Sequence, residues 1–415
     1  MPAVEASGGR PRWVLPVLAG VVAMLLVGGA LAWTLRGGSG SGYTSSGYDR
    51  TPLVRAVTSE PEEAWSWTGA GDGIGVRVHG GDSYVSDFNG DSAELVALDK
   101  NGEERWRVSD SVGGYVSGLS DDGDILLLSA IDESGGITAI DTSDGSTLWS
   151  DEVGYVGQVR GKIFWFFDGS TLGIADVETG EQQWSEPSDN FALDGDTMFV
   201  QDGRRLSAMD LDSGDELWTA DLPGVDEDTY PTVVATDGLV AVSVHGDVTA
   251  YDARKGTELW HQSIDEDRGD SLSYGGPGLV MLEEYADSDS YTDGRARFFD
   301  RDGSRGTVSI DVDDYSFNAV GISSGAGDYI VDTSSGTVYD DQLEPVSRVP
   351  GTVYPVDGGL YSADGDDVGF YRFDESRRSW HLSVGSASGD EGDTYLIPVD
   401  GALLTVSGGT LTRYE

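Results

Sequence analysis

Short runs of apolar, often β-branched residues alternate with Asp- and Gly-rich turns from residue 62 to the end of the chain. The stretch VTAYDARKGTELW, from Val248 to Trp260, combines an apolar run with an Asp, a Gly four residues later and a Trp four residues after that. Such apolar runs predict strands, Asp starts an Asx-type turn, and Gly supplies the positive φ that closes the turn. The stretch therefore predicts a β-hairpin with Trp on its returning strand.

This hairpin recurs along the chain. Five strong copies place an Asp seven or eight residues before a Trp: Asp99 and Trp106, Asp141 and Trp149, Asp176 and Trp184, Asp210 and Trp218, and Asp252 and Trp260. Weaker copies retain Asp300 with Gly303, Asp340 alone, Asp374 with Trp380, and Glu415 in the place of the Asp. Consecutive anchors lie about 34 to 48 residues apart, a period that is typical of stacked supersecondary units.

Two further strand-like runs precede each hairpin, so each unit contains about four strands, the content of one propeller blade. The last unit stops after its third strand, at TLTRYE, whereas the first segment, EEAWSWTG, is a lone strand that carries Trp65 and Trp67. This first strand can complete the last unit, which would remove the exposed edges of an open sheet. The sequence therefore predicts an all-β, closed propeller over residues 62–415.

The spacing Ala-x-Asp-x-x-x-Gly-x-x-x-Trp resembles the tryptophan-docking repeat of the pyrroloquinoline-quinone (PQQ)-like β-propellers. That family includes quinoprotein alcohol and glucose dehydrogenases, and also non-enzymatic scaffolds such as the outer-membrane assembly lipoprotein. Its members usually have eight blades and sometimes seven, whereas this chain has nine candidate units. The resemblance therefore implies about eight four-stranded blades, with seven to nine left open, and the doubtful unit lies around Asp340.

An uncharged run of 23 residues, Trp13 to Leu35, precedes the repeats. As a helix it would reach roughly 34 Å, enough to span a bilayer core. Arg10 and Arg12 on its amino-terminal side outweigh Arg36 on the other, which indicates that the amino terminus stays in the cytoplasm.

This orientation predicts a cytoplasmic tail over residues 1–12, a transmembrane helix over 13–35 and a Gly/Ser-rich flexible linker over 36–61. The chain is then a single-pass protein of the cell membrane with an extracytoplasmic propeller. The alternative is a signal peptide cleaved near Ala30–Ala32, which would also export the propeller.

The charge balance narrows the choice of partner. The chain has 74 acidic residues against 25 basic ones, a net charge of −49. Nucleic acid is excluded as a partner, because phosphate binding requires a basic patch. The absence of Cys excludes disulfides, thiolate metal sites and a Cys nucleophile.

Candidate metal ligands are sparse. Acidic turns offer calcium candidates at Asp210, Asp212, Asp287, Asp289 and Asp293, but their spacing does not match an EF-hand loop, and a solvated acidic surface is the simpler interpretation. The four His residues are too far apart in the sequence to form a local metal pair; they are His79, His245, His261 and His381.

The quinoprotein enzymes of the family bind PQQ on the propeller axis with a calcium ion and an Asp base, and many stack the cofactor on an adjacent Cys pair. A chain without Cys cannot form that pair, and its blades leave little loop length for a lid. The sequence therefore predicts a non-enzymatic scaffold without PQQ, anchored in the membrane, that binds a protein partner or a cell-wall polymer. The alternatives are a PQQ- or calcium-dependent oxidoreductase and a sensor domain that works with a separate signalling protein.

Overall fold

The repeats fold into nine four-stranded sheets. The computed structural model describes residues 53–415, apart from 72, 90–91, 110–113, 131–135, 152–153, 168–169, 227–228, 230, 245–246, 264–268, 286–293, 310–318, 325–326 and 385–393. All regular elements within the described residues are strands, and neighbouring strands in each sheet run antiparallel. The fold is thus a nine-bladed β-propeller.

The first four blades each use four consecutive strands. Blade 1 contains β2 (Gly73–His79), β3 (Asp82–Asn89), β4 (Ser92–Leu98) and β5 (Glu104–Val108); blade 2 contains β6 (Gly114–Leu119), β7 (Ile125–Ala130), β8 (Ile137–Asp141) and β9 (Thr147–Asp151); blade 3 contains β10 (Gly154–Val159), β11 (Lys162–Phe167), β12 (Thr171–Asp176) and β13 (Gln182–Pro187); blade 4 contains β14 (Asn190–Asp194), β15 (Thr197–Asp202), β16 (Arg205–Asp210) and β17 (Glu216–Asp221).

Blades 5 to 8 repeat this arrangement, and blade 9 combines both ends of the chain. Blade 5 contains β18 (Thr232–Thr236), β19 (Leu239–Val244), β20 (Asp247–Asp252) and β21 (Glu258–Ser263); blade 6 contains β22 (Gly269–Gly276), β23 (Leu279–Tyr285), β24 (Arg295–Asp300) and β25 (Gly303–Ser309); blade 7 contains β26 (Ala319–Ser324), β27 (Gly327–Asp332), β28 (Thr337–Asp340) and β29 (Pro345–Arg348); blade 8 contains β30 (Thr352–Val356), β31 (Gly359–Asp364), β32 (Asp367–Arg372) and β33 (Arg378–Ser383); blade 9 contains β34 (Tyr395–Val399), β35 (Ala402–Ser407), β36 (Thr410–Tyr414) and β1 (Glu63–Thr68).

The predicted closure by the first strand is confirmed. Strand β1 pairs antiparallel with β36, with Trp65 opposite Arg413 and Trp67 opposite Leu411. Glu62 and Glu415 exchange both backbone hydrogen bonds beyond the end of this ladder. Because the outermost strand of blade 9 comes from the other end of the chain, unrolling the ring would require breaking this ladder.

The preference for eight blades is wrong. The doubtful unit around Asp340 is a complete sheet, blade 7, in which β28 pairs with both β27 and β29. Its hairpin lacks the Gly and the Trp of the strong copies, yet Asp340 Oδ1 still accepts the N–H groups of Gln342 and Glu344. An Asx turn with an apolar strand on each side is enough to form the hairpin, so a degenerate motif still marks a blade.

The hydrophobic core lies mainly between neighbouring blades. One cluster joins blades 4 and 5 through Phe199, Leu206, Val233 and Val240, all fully buried. Further clusters of the same kind repeat around the ring, as between blades 1 and 2 and between blades 8 and 9. The alternating side chains of each strand therefore face one neighbouring blade or the other.

The membrane segment predicted at 13–35, its cytoplasmic tail and linker residues 36–52 lie outside the described residues. Within the part that the structure describes, no helix is long and apolar enough to cross a membrane. The remainder of the predicted linker, residues 53–61, packs on the propeller and is called the strap below. Leu53 contacts the apolar cluster of blades 7 and 8, and Val54 and Ala56 contact that of blades 8 and 9. This placement differs from the predicted flexible linker because these apolar side chains are half-buried against the ring.

Candidate functional site

The chain direction gives the ring two different faces. In each complete meander, the turn between the first and second strands and the turn between the third and fourth strands lie at one end, which is called the hairpin face. The opposite end, called the cleft face, has the turn between the second and third strands and the connection to the next blade. The Asp motifs lie on the hairpin face.

The anchor carboxylates of the five strong copies hold their turns. Each accepts the N–H group of the residue two or three positions ahead at 2.8–3.0 Å; the carboxylates belong to Asp99, Asp141, Asp176, Asp210 and Asp252. The backbone hydrogen bond from Glu103 lowers the pKa of Asp99, and that from Ser213 lowers the pKa of Asp210. These carboxylates act inside their own turns, and that of Asp252 also forms an ion pair with Arg301 of the next blade.

The motif tryptophans dock each blade on the next. Their indole Nε1–H groups donate at 2.8–3.0 Å to a carbonyl one residue after the next anchor Asp: Trp106 to Thr142, Trp149 to Val177, Trp184 to Leu211 and Trp218 to Ala253. The motif Gly of the next blade lies under the ring, with positive φ in each case. A Cβ atom on Gly256 would lie only 2.5 Å from a ring atom of Trp218. The Gly thus supplies both the turn conformation and the space for the indole.

Three further tryptophans dock with variations. Trp65 of the closing strand donates to the Lys100 carbonyl at 2.8 Å, and Trp260 donates to the Asp300 carbonyl at 2.9 Å. Trp380 donates at 2.7 Å to the carbonyl of Val57, which belongs to the strap. In blade 9 no hairpin turn joins the third and fourth strands, because β36 ends at Tyr414 and β1 begins at Glu63, so the strap supplies the acceptor that the turn supplies elsewhere.

The strap is held by polar contacts with blades 8 and 9. Arg55 forms a two-point ion pair with Asp400, each hydrogen bond 2.8 Å long, and the Gly401 N–H donates to the Arg55 carbonyl. The N–H group of Val57 donates to the Tyr361 hydroxyl at 2.6 Å. Burial raises the pKa of Tyr361 to about 12, against the smaller opposing effect of this bond. Sequence reasoning missed the strap; the apolar residues in LVRAV were its only signal.

Blade 8 differs from the sequence assignment at its anchor. Phe370 pairs with Trp380 and Tyr371 pairs with Arg378, which places Arg372, rather than Asp374, at the anchor position. Arg372 lies eight residues before Trp380, the spacing of four strong copies, whereas Asp374 lies in the turn itself. The register of β32 and β33 therefore shows that the prediction of Asp374 as the anchor, which was based on residue type, is wrong.

The two seams that flank blade 7 have other residues in the place of the docking tryptophan. Gly306 occupies the tryptophan position of blade 6, and Leu343 occupies the glycine position of blade 7 at φ 64°. A Cβ atom on Gly306 would lie 2.6 Å from Leu343 Cδ1, so the large and small partners have exchanged sides. At the next seam Ser347 replaces the Trp, and its hydroxyl donates to the Phe373 carbonyl at 2.7 Å.

A cleft of about 580 Å³ opens on the cleft face. Its walls come from blades 7, 8 and 9 and include residues 350–351, which connect β29 to β30. Arg348, Asp364 and Thr352 are exposed along it, whereas Tyr354 and Thr394, which also line it, are buried. The cleft thus combines a guanidinium, a carboxylate and hydroxyl groups.

Two of the five calcium candidates, Asp210 and Asp212, lie within the described residues. Asp210 Oδ1 already accepts the N–H and hydroxyl groups of Ser213, and Asp212 lies 3.5 Å from the Lys162 ammonium. Asp287, Asp289 and Asp293 lie outside the described residues. Within the part of the chain that the structure describes, no group of three or more His, Asp or Glu side chains is placed to hold a metal ion.

The histidines lie far apart on the ring. His79 is on blade 1, His261 on blade 5 and His381 on blade 8, and His245 lies outside the described residues. His261 Nδ1 is 3.0 Å from the Thr249 hydroxyl, and His381 is 4.0 Å from Asp367.

The ring, its tryptophan docking and its end-to-end closure define a PQQ-like β-propeller. The model of the family described as "Outer membrane protein assembly factor BamB" matches residues 2–163 and 168–305, more than half of the chain. The chain belongs to this family.

Individual relatives are distant. The outer membrane protein assembly factor BamB of Burkholderia pseudomallei (strain K96243) is 26% identical over 241 residues, which cover 49% of this chain. The match spans 59% of that curated relative's length. A crystal structure of BamB from Moraxella catarrhalis aligns with a TM-score of 0.46 at 16% identity, covering 86% of this chain and 97% of that one. The quinohemoprotein alcohol dehydrogenase of Comamonas testosteroni aligns with a TM-score of 0.44 at 13% identity, covering 89% and 78%.

Proposed function

We propose that the chain is a non-enzymatic, membrane-anchored scaffold whose extracytoplasmic propeller binds a protein partner. Membership in the family of an outer membrane protein assembly factor carries the proposal. The sequence supports it with an uncharged segment at 13–35 that precedes the propeller. The partner is then a protein handled outside the cytoplasm.

The geometry suits a rigid disc. Indole-to-carbonyl bonds and paired glycines hold most seams, and the strap packs on the seam between blades 8 and 9. The side chains of the repeat motif are therefore committed to structure. Repeat folds usually present their binding residues on the loops of one face, and the cleft face has the 580 Å³ opening.

The acidic surface would favour a partner with basic segments. The net charge of −49 produces a negative field that attracts cations and speeds their association at low ionic strength. This field does not select one partner by itself, so the selection falls to the cleft and its neighbouring turns.

A site-specific photocrosslinker tests this function in the native host. We would place it at Thr352, which lines the cleft, and at Leu148, which is 45% exposed on outer strand β9 as a matched surface control. The scaffold function requires a discrete protein adduct from Thr352 but not from Leu148. Equal labelling at both positions, or none, would contradict it.

A thermal melt of the detergent-solubilised full chain tests the enzymatic alternative. A ligand that binds only the folded state at 100-fold above its Kd adds roughly 2.7 kcal/mol of stability. The scaffold function expects no shift of the melting temperature with PQQ, with or without calcium. A shift with PQQ would instead support a quinoprotein.

A further inference from the structure

A small pocket lies between blades 4 and 5, apart from the cleft. Its volume is about 260 Å³, below the roughly 300–1,000 Å³ of most ligand sites, so it suits a single side chain. Side chains from β19 and from the connection between these two blades give it an apolar wall: Leu222, Pro223, Val242 and Val244. Because that connection belongs to the cleft face, the pocket lies toward the same face as the cleft.

The remaining wall comes from β20 and β21 and is polar. Tyr251 lines the pocket although it is only 5% exposed, and no described residue forms a hydrogen bond with its hydroxyl. Asp247 Oδ1 lies 3.8 Å from Nε2 of His261, too far for a hydrogen bond. Among the described residues, no Arg or Lys pairs with Asp247. The pocket thus offers a carboxylate and a phenol oxygen that have no cationic partner in the described chain.

Two positions in each blade border this polar wall. The first lies three residues before the residue that pairs with the docking Trp, and the second lies two residues before that Trp. In blade 5 these positions are Asp247 and Glu258, so both are acidic. In blades 1, 4 and 8 a guanidinium of the blade itself joins the same two positions.

In blade 8 the two positions form an ion pair. Arg378 at the second position pairs with Asp367 at the first. A Cβ atom on Gly369, the counterpart of Thr249, would lie 3.0 Å from Arg378 Cδ. Two polar residues of the pocket also have direct counterparts in this register: Tyr371 for Tyr251 and His381 for His261. The arginine side chain therefore covers the part of blade 8 that corresponds to the polar wall of the pocket.

Blades 4 and 1 meet the same requirement in two other ways. In blade 4 the charges are reversed, and Arg205 at the first position pairs with Glu216 at the second. In blade 1 both positions are acidic, and Arg107 bridges Glu94 at 2.6 Å and Glu104 at 2.8 Å. Arg107 occupies the position that a histidine has in blade 5. Blade 5 thus has the two carboxylates of blade 1 without, among the described residues, the guanidinium that joins them.

We infer that this pocket binds an arginine side chain of the protein partner, with its guanidinium at Asp247 and the Tyr251 hydroxyl and its stem on the apolar wall. The inference rests on the proposed scaffold function and specifies the chemistry of the partner. A guanidinium carries five N–H donors in a planar fork, so one group can contact a carboxylate and a phenol oxygen together. The aliphatic stem of arginine packs on apolar surface while its head stays at a polar edge. The chain supplies this arginine in blades 1, 4 and 8, and the partner supplies it in blade 5.

A peptide with a single arginine tests the inference on the full chain in detergent. The probe is fluorescein-GVPRVPG-amide, and fluorescence anisotropy reports its binding. The control peptide has citrulline, which matches arginine in size but is uncharged. The control should bind about tenfold more weakly, because charge-assisted hydrogen bonds are lost. Equal binding of the two peptides would overturn the inference.

A matched pair of variants tests the carboxylate. Asp247→Asn should weaken probe binding by about fivefold, because the guanidinium loses a charged acceptor. Asp367→Asn makes the same change at the same position of blade 8, where Arg378 already fills the space, and should leave probe binding unchanged. Unchanged melting temperatures show that both variants are folded. No loss for Asp247→Asn, or equal losses for both variants, would overturn the inference.

A third experiment builds the arrangement of blade 8 into blade 5. The double variant Thr249→Gly with Glu258→Arg places an arginine of the chain itself beside Asp247. It should bind the probe at least about tenfold more weakly than Thr249→Gly alone, because the pocket is then occupied. Its melting temperature should be no lower than that of Thr249→Gly, which separates occupation of the pocket from unfolding. Equal probe binding by the single and double variants would contradict the inference.

Two further outcomes separate this inference from the proposed function. If the arginine and citrulline peptides bind equally while the crosslinker at Thr352 still gives a discrete protein adduct, the pocket assignment is wrong and the scaffold function stands. Free L-arginine that binds as tightly as the peptide would overturn the assignment to a protein segment. Absence of any crosslinked protein would instead contradict the scaffold function itself.

Discussion

Two stretches of the ring solve the same packing problem with different residues. In blade 9 and in blades 1 to 5, a Trp from each blade packs over the hairpin of the next blade and donates to its backbone, as Trp218 does over Gly256. Around blade 7, Gly306 faces Leu343 and Ser347 takes the next Trp position. A seam therefore needs complementary volumes and one bridging hydrogen bond, and different residues can meet both requirements.

Deleting one docking indole tests how much a tryptophan seam contributes to the stability of the ring. Trp218→Ala should lower the free energy of unfolding by about 3 kcal/mol, because a large side chain is lost from a packed seam. The neighbouring Leu217 is 53% exposed, so Leu217→Ala should change it by no more than about 0.5 kcal/mol. Urea unfolding followed by circular dichroism measures both. Equal effects of the two variants would show that the indole does not stabilise the seam.

A second experiment converts one kind of seam into the other. Gly306→Trp alone should destabilise the protein by about 2 kcal/mol, because Leu343 fills the space beside it. Adding Leu343→Gly restores the large-over-small arrangement and should recover at least about 1 kcal/mol. The double-mutant cycle is measured by urea unfolding. Strictly additive effects would mean that these two positions do not form a seam pair.

Tyr361, which accepts a hydrogen bond from the strap, should make the stability of the protein fall at alkaline pH. The pKa of Tyr361 is raised by burial to about 12, above its ordinary value of 10.0. The neutral phenol is thus favoured by folding, so its contribution is full below about pH 10 and is lost as pH rises from about 10 to 12. Tyr361→Phe should make this loss shallower, and at neutral pH should cost about 1 kcal/mol through the missing acceptor for Val57. Melting temperatures of both proteins from pH 8 to 12 measure this effect. The same pH dependence in the wild type and the variant would show that Tyr361 does not cause the alkaline loss of stability.

The smallest expected effect concerns the exposed ion pair of the strap. The hydrogen bond from Arg55 holds the pKa of Asp400 below its ordinary value of 3.8. The stability from the ionised carboxylate is therefore present above about pH 4 and is lost as pH falls through the lower folded-state value. Asp400→Asn should flatten the acid side of the melting-temperature profile slightly, with little change at pH 7. An unaltered acid side would show that the pair does not stabilise the strap.

The strong motif copies and the closing strand could be predicted because their signals are local in sequence. Asp99, its Gly and Trp106 lie within eight consecutive residues, and the lone strand with Trp65 was visible as a unit without a hairpin. The Gly306–Leu343 exchange could not be predicted in this way, since it replaces both motif residues and leaves only a volume match across blades. The cleft was also missed, because Arg348, Asp364 and Thr394 lie far apart in sequence and resemble ordinary turn residues.

The repeat, the strand content and the closure of the ring could be predicted from the sequence alone, because hydrophobic alternation and turn chemistry act over a few neighbouring residues. Tertiary contacts were needed to show that Asp340 belongs to a complete blade, blade 7, and that Arg372 occupies an anchor position. They also show that Val57 accepts the Trp380 indole and that residues of blades 7, 8 and 9 line one cleft. These features depend on pairing register and on contacts between distant segments, which are set when neighbouring blades bury their side chains together.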